Sequence, residues 1–420
     1  MTTRWPSLTD DLLREALTEE PDAGLVELAF EELSAAILQT PQRRPSIAWP
    51  WSPTMPALGW RPQTRRANVL ATLVLVSLLL ALTAALVLFV GSILRPASPV
   101  IAFDSGSDVF VVDRDGTNRR QLTNGHESAV QPTFSPDGKR LAYESLDAAN
   151  GTVGLIVVGI DGANRRVVTS FPAVARASGA IIGWFRVAWS PDGRELAYTA
   201  PESGAQQIFV VGADGSNPHR VGDPSLEGHD ATWSPDGTLL AFVGGHFDND
   251  RGIFVMDADG TNVRPIRPPG PDQWALGFQP PVWSPVGRRL SFSARPLNAS
   301  QVFVVDIDSG QPLNLSNSEA IEDWGPAWSP DGSRLAWHRG PASDEGRFIV
   351  AASDGSGATA LLPAVVGPPT WAPDGKSLIG YGLDADTGGR NRLFVIDLAG
   401  DRVVEIPADS SGDASWQGAR

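Results

Sequence analysis

A ten-residue element recurs six times in the C-terminal part of the chain: FSPDGKRLAY from Phe134, WSPDGRELAY from Trp189, WSPDGTLLAF from Trp233, WSPVGRRLSF from Trp283, WSPDGSRLAW from Trp328 and WAPDGKSLIG from Trp371. Successive starts lie 55, 44, 50, 45 and 43 residues apart. Self-similarity at such a period marks stacked or radial sheet units, each too small to bury its apolar faces alone. A second element alternates with the first in seven copies: DVFVVDRDGTNRRQLT from Asp108, GLIVVGIDGANRRVVT from Gly154, QIFVVGADGSNPHRVG from Gln207, GIFVMDADGTNVRPIR from Gly252, QVFVVDIDSGQPLNLS from Gln301, RFIVAASDGSGATALL from Arg347 and RLFVIDLAGDRVVEIP from Arg392. Each joins an aromatic or β-branched run to a turn and a further short run, the pattern of a hairpin.

Together the elements predict four strands per unit: one ending at the tryptophan, a tight turn at Ser-Pro-Asp-Gly, a strand such as Leu-Ala-Tyr, then the hairpin. Proline presets φ and glycine accepts a positive φ, so this turn has a mechanism. The tryptophan is expected to fill the gap between neighbouring sheets rather than to stack on a ligand. The two ends of the repeat region are complementary. The unit beginning at Pro99 lacks a tryptophan strand, and the final DASWQGAR from Asp413 supplies one. The expected fold is therefore all-β, a seven-bladed β-propeller closed by the C-terminal strand, which removes the free edges of an open array.

Composition agrees with a repetitive architecture. At 420 residues the chain exceeds a single compact core, which stops growing near about 250 to 300 residues. An apolar fraction of 42% excludes a disordered chain, and 43 Gly with 35 Pro implies many turns. Without cysteine, a disulfide scaffold, a thiolate zinc site and a cysteine nucleophile are all excluded. A formal charge of −15 argues against a nucleic-acid partner, because phosphate binding needs a basic surface.

The N-terminal part reads differently. From Val69 to Leu94 run 26 uncharged residues, interrupted only by Thr72, Ser77, Thr83, Gly91 and Ser92. As a helix this measures roughly 39 Å, enough to cross a hydrocarbon layer of about 30 Å. Arg61, Arg65 and Arg66 precede it and only Arg95 follows at once, so the positive-inside bias keeps the N-terminus cytoplasmic and the repeats outside. The expected domains are a helical cytoplasmic head at 1–40, a linker rich in Pro, Trp and Arg at 41–68, a transmembrane helix at 69–94 and an extracytoplasmic propeller at 99–420. In the head, Leu8, Leu12, Leu13, Ala16 and Leu17, then Leu25, Leu28, Ala29, Leu33, Ala36 and Ile37, recur at helical spacing. Two short amphipathic helices bury little, so residues 8–39 suit a cytoplasmic regulator as partner, with self-packing as the plainer account. This layout resembles membrane-bound anti-sigma factors in outline, without the His/Cys zinc pattern of one such class.

The WSPDG, LAY and DxDG elements resemble the TolB-like family of WD-type β-propellers over essentially all of residues 99–420. The resemblance implies the fold more than a function, because one propeller scaffold hosts binding proteins, enzymes and sensors. TolB itself looks like a soluble periplasmic protein with an α/β domain before a six-bladed propeller, so the membrane segment and seventh blade here speak against a Tol-Pal role. Prolyl oligopeptidase-type enzymes carry similar propellers beside a hydrolase domain, but this sequence holds no Gly-x-Ser-x-Gly nucleophile elbow.

By this resemblance, loops entering the first strand of each blade gather around the central channel. They would present His126, Glu127, Trp184, His229, Asp230, Trp274, Glu322, Asp323, Trp324 and Asp413, a mixture of aromatic surface and carboxylates suited to a protein, peptide or glycan ligand. The plainer account is that several cap strands or order loops. His229 beside Asp230 is the one pair of interest for acid–base work. Adjacent residues of a regular strand point to opposite faces, so within a strand the two are not expected to cooperate. The turns DRDGTN from Asp113 and DADGTN from Asp257 open like a calcium loop, yet Asn124 and Pro268 stand where a bidentate glutamate belongs, and a hairpin turn explains them better. No HExxH or His-x-His pattern occurs, so neither a metal nor another cofactor is expected. The leading function is non-catalytic binding or scaffolding at the cell envelope. The alternatives are a transmembrane sensor coupling the propeller to the head, and a glycan- or peptide-processing enzyme.

Overall fold

The structure is a computed structural model that describes residues 100–125, 128–175, 181–182, 186–245, 252–266, 275–276, 279–295, 298–318, 320–340, 346–361, 365–383, 391–399, 402–407 and 414–417. The predicted head, linker and membrane segment lie outside the described residues. No helix occurs among those described.

Seven antiparallel sheets follow the repeat. Blade 1 joins Val100–Ser105, Asp108–Asp113 and Arg120–Gln121 to Ala414–Trp416; blade 2 runs from Ser128 to Pro172, blade 3 from Ala188 to Val221 and blade 4 from Glu227 to Ile266. Blade 5 spans Ala275 to Asn314, blade 6 Asp323 to Ala360 and blade 7 Val366 to Pro407. Six are four-stranded; in blade 5 the first strand is split into Ala275–Leu276 and Val282–Trp283, on either side of Pro280 and Pro281. Proline has no N–H to give a ladder, which accounts for the break.

The ring closes as the two ends predicted. Ile101 pairs with Trp416, Ala102 with Ser415 and Phe103 with Ala414. Gln417 N–H donates to the Val100 carbonyl at 2.8 Å, its side-chain amide reaches Gly138 O in blade 2 at 2.8 Å, and the Ser415 hydroxyl donates to Pro132 O at 2.9 Å. One tail thus completes blade 1 and stitches it to blade 2.

Each Ser-Pro-Asp-Gly turn is closed twice. In blade 2, Gly138 N–H bonds Ser135 O at 2.8 Å, the Ser135 hydroxyl donates to Asp137 Oδ1 at 2.6 Å, and Lys139 N–H donates to the same oxygen at 3.1 Å. Gly138 sits at φ 66° and its five counterparts between 64° and 73°, a region closed to most side chains. The serine hydroxyl is the main reason that the carboxyls of Asp137, Asp192 and Asp236 lie below the usual range. In blade 6 the hydroxyls of Ser329 and Ser333 bring Asp331 to about 2.

The core consists of seven apolar clusters, one in each gap between neighbouring blades. The repeat tryptophans stand in these gaps and also clamp them. Each indole N–H donates to the carbonyl just before the aromatic position of the preceding blade: Trp189 to Thr133 at 3.3 Å, Trp283 to Thr232 at 3.1 Å, Trp328 to Val282 at 3.2 Å, Trp371 to Ala327 at 3.0 Å and Trp416 to Thr370 at 3.3 Å. Trp233 alone lacks such a bond among the described residues.

Candidate functional site at the propeller axis

The first strands of blades 2, 4, 6 and 7 each carry a register shift just before the aromatic position. Three residues before the aromatic, Gln131, Asp230 and Gly325 adopt positive φ of 55°, 55° and 66°. The bulge re-aims the chain and frees a backbone N–H, which in blades 4 and 6 a second-strand hydroxyl of the preceding blade accepts. Thr199 Oγ1 accepts from Asp230 N–H at 3.2 Å, and Ser293 Oγ from Gly325 N–H at 2.9 Å. In blade 5 the equivalent position is Pro280, which has no N–H, and the matching second-strand residue is Val243.

This bulge overturns the expectation for His229 and Asp230. His229 Nδ1 and Asp230 Oδ2 lie 2.9 Å apart, both side chains largely buried. Alternation of faces holds only for regular strand, and the left-handed dihedral at Asp230 swings its carboxylate back alongside its neighbour. Asp230 Oδ1 also accepts the N–H of Arg186 at 3.3 Å, which ties blade 4 to the entry of blade 3. From blade 2 the carboxyl of Glu144 comes into the field of Asp230. Glu144 is 1% exposed and neither of its oxygens has a hydrogen-bond partner among the described residues. Burial, reinforced by the Asp230 charge, pushes its carboxyl well above the ordinary range.

In blade 6 the acidic pair does structural work. Glu322 receives Arg295 Nη2 at 2.5 Å and Ser300 N–H at 2.7 Å, bracing the loop of blade 5. Asp323 is fully buried, where Arg339 meets it through Nε at 2.7 Å and Nη2 at 3.0 Å and the Trp337 indole donates at 2.8 Å. Trp324 lies tilted against His338 with ring centroids 4.7 Å apart. Burial lowers the His338 pKa, and its Nε2 bonds Val365 O at 3.0 Å, which makes it a neutral core histidine. His126, Glu127, Trp184, Trp274 and Asp413 lie outside the described residues.

The Asp-Gly hairpin turns are self-contained. Thr117 places its N–H and hydroxyl on Asp115 Oδ1 at 3.0 and 2.6 Å, and the Asn118 amide donates to Asp113 at 2.7 Å. Among the described residues no three of His, Asp and Glu come together so as to hold a metal ion.

Inner strands from several blades enclose a cavity of about 190 Å3, partly open to solvent. Pro280, Pro326, Pro368 and Pro369 form much of its wall, with Arg186 and Gln279 among the polar groups. Sequence reasoning missed Arg186, Glu144 and Gln279. The signal that finds Arg186 is position: it stands three residues before Trp189, as Asp230 stands before Trp233.

Residues 102–274 match the model of the TolB beta propeller domain. The propeller is TolB-like. A TolB homolog of Chlorobium luteolum is 34% identical over 152 residues, 36% of this chain and 31% of the relative. Dipeptidyl-peptidase 5 of Porphyromonas endodontalis is 38% identical over 94 residues, 22% of this chain and 12% of that enzyme. The chain therefore spans about a third or less of the length of these curated relatives. Among solved structures, oligogalacturonate lyase from Vibrio parahaemolyticus superposes with a TM-score of 0.56 at 16% identity, over 77% of this chain and 90% of that one, a likeness of fold. The TolB-like propeller found here has seven blades, as the repeat count required.

Proposed function

We propose that the chain is a membrane-anchored, non-catalytic binding module, held by residues 69–94 with its N-terminus cytoplasmic and its TolB-like propeller outside the membrane, where the propeller axis receives a protein or peptide ligand. The observation that carries this reading is the axial cavity, walled by rigid proline and tryptophan and edged by a few convergent polar groups, the usual make-up of a preformed binding site. A non-catalytic role is supported by Glu322 and Asp323, both taken up by ion pairs that brace loops. The peptidase relative shares only 12% of its own length with this chain.

The test is photo-cross-linking of the full-length chain in its own membranes, with the reactive residue at Gln279 in one form and at exposed Val167 in another. A discrete protein adduct from Gln279 alone supports axial binding. Equal adducts from both positions, or none from Gln279, overturn it. Release of the chain by alkaline extraction of the membranes overturns the anchor.

A second reading makes the chain a transmembrane sensor. It rests on the helical spacing of apolar residues in 8–39, and recovery of a regulator by residues 1–66 used as bait supports it.

A further inference from the structure

In blades 2 to 7 the two turns of the repeat lie together at one end. The Ile160 N–H donates to Lys139 O at 3.0 Å in blade 2, and the equivalent bond recurs in each blade up to Leu398 and Lys376 O at 2.9 Å in blade 7. The chain enters the propeller at this same end. Val100 pairs with Asp113, where the Asp-Gly turn of blade 1 begins, while Ser105 and Asp108 pair at the opposite end. Along the sequence only residues 95–99 separate Val100 from the apolar run that ends at Leu94. Such a link spans about 20 Å at full stretch. A bilayer crossed by that run therefore lies close to the turn end, and the entry loops stand off by the length of an eight-residue strand such as Arg140–Asp147, about 25 Å. The propeller can still tip on its link, and charge decides how.

Three equivalent arginines stand on outer strands at the turn end. Arg120 donates to Ile160 O of the next blade at 3.2 Å, Arg166 to Asp214 O at 2.7 Å and Arg264 to Ile307 O at 3.1 Å. All three are exposed, as is Lys139, and a carbonyl partner leaves the guanidinium charge in place. The charge is uneven around the ring. The turns of blades 1 and 2, at 113–120, 135–140 and 160–166, hold seven arginines and lysines against four aspartates. Those of blades 4 to 6, at 234–239, 257–264, 284–289, 306–312, 329–334 and 352–359, hold four against seven. Within the positive sector Arg114 is paired with Asp374 of blade 7, and Arg119 and Arg165 pack on Phe110 and Tyr143 of their own blades, so Arg120, Arg166 and Lys139 carry its outward charge. An anionic surface attracts this sector and repels the opposite one over a Debye length of about 8 Å. The link already holds the propeller at the membrane, so contacts that would be weak between free molecules suffice.

We propose that the turn end of the propeller seats on an anionic phospholipid surface through blades 1 and 2, with Arg120, Arg166 and Lys139 at the headgroups and the entry loops turned away from the bilayer. This rests on the reading of residues 69–94 as the membrane anchor and adds a lipid-binding surface on the propeller itself.

The chain has no cysteine, so a single one introduced as Ala163→Cys at the turn end of blade 2, or as Ala148→Cys at its other end, takes a fluorophore at a known place. The full-length chain is placed in nanodiscs of phosphatidylcholine, with or without phosphatidylglycerol, and quenching by lipids that carry a nitroxide on the headgroup is measured. With phosphatidylglycerol the label at 163 is expected to be quenched at least about threefold more than the label at 148, and the ratio should fall in high salt. Changing Arg120, Arg166 and Lys139 together to Gln should bring the ratio down to its value in phosphatidylcholine alone; should that variant not fold, the comparison of the two lipids on the chain with its arginines intact decides. Equal quenching at both positions, or more at 148, overturns the seating. Quenching at 163 that ignores both lipid charge and the triple substitution is the work of the link alone and overturns the lipid contact. Release of the chain by alkaline extraction sinks the anchor and this inference together, whereas a retained chain with equal quenching sinks this inference and leaves the anchor standing.

Discussion

Glu144 keeps its proton because ionising it would place an unsolvated charge beside Asp230. Above the ordinary carboxylate range the unfolded chain releases this proton while the folded chain holds it. Stability is full below that range and falls as pH rises, by about 1.4 kcal/mol per unit, until the folded carboxyl ionises. Thermal melts of Glu144→Gln between pH 4 and 9 should show a flatter dependence and a higher midpoint than the unaltered chain on the alkaline side. A parallel slope in both would show that Glu144 has a partner in solution. Asp323 is the opposite kind of buried carboxylate, fully paired with Arg339 and Trp337. Asp323→Asn leaves the guanidinium half-buried without its counter-charge and should cost about 3 kcal/mol in urea unfolding. Neither environment is legible locally. Glu144 is one polar residue in a strand; its burial comes from the packing of neighbouring blades, and the charge that reinforces it comes from two blades further along the chain.

At the scale of the strand and turn, the repeat explains itself through small hydrogen-bond circuits. Blade 5 departs from it, because Val286 replaces the turn aspartate, stands exposed, and leaves the Ser284 hydroxyl to bond the Val286 carbonyl at 2.7 Å. Val286→Asp restores the acceptor that the other turns use and should raise stability by about 0.5–1.5 kcal/mol, read from the shift in denaturant midpoint. The gain should shrink as pH falls toward about 2, where the equivalent Asp331 titrates, because a lowered folded pKa stabilises only while the carboxylate is ionised. The first-strand bulge is the other recurrent device. Its partner on the preceding blade is a hydroxyl at Thr199 and Ser293, where an N–H must be met, and Val243 where Pro280 has none. These residues are written in the chain, but their pairing becomes readable only once blades are known to touch in order.

For the molecule as a whole, closure is the decisive event, since it gives every blade two neighbours and leaves no sheet face uncovered. Trp416 belongs to the cluster between blades 7 and 1 and is fully buried. Trp416→Ala should cost about 3–5 kcal/mol. Deleting residues 414–420 should do more, replacing one cooperative unfolding transition by a broad one with self-association, as calorimetry and size-exclusion chromatography would show; a deletion variant that melts like the unaltered chain would mean that the ring does not depend on its last strand. The blade count, the turn positions and the pairing of the two ends were determined by sequence alone. They follow from period-two alternation and from the φ limits of proline and glycine, which are properties of a few consecutive residues. What meets at the axis was decided by tertiary structure. The His229–Asp230 bond needs a left-handed aspartate that no rule of residue type demands, and the approach of Glu144 to Asp230 and the placing of Arg186 among prolines exist only after strands distant in sequence are drawn into one ring.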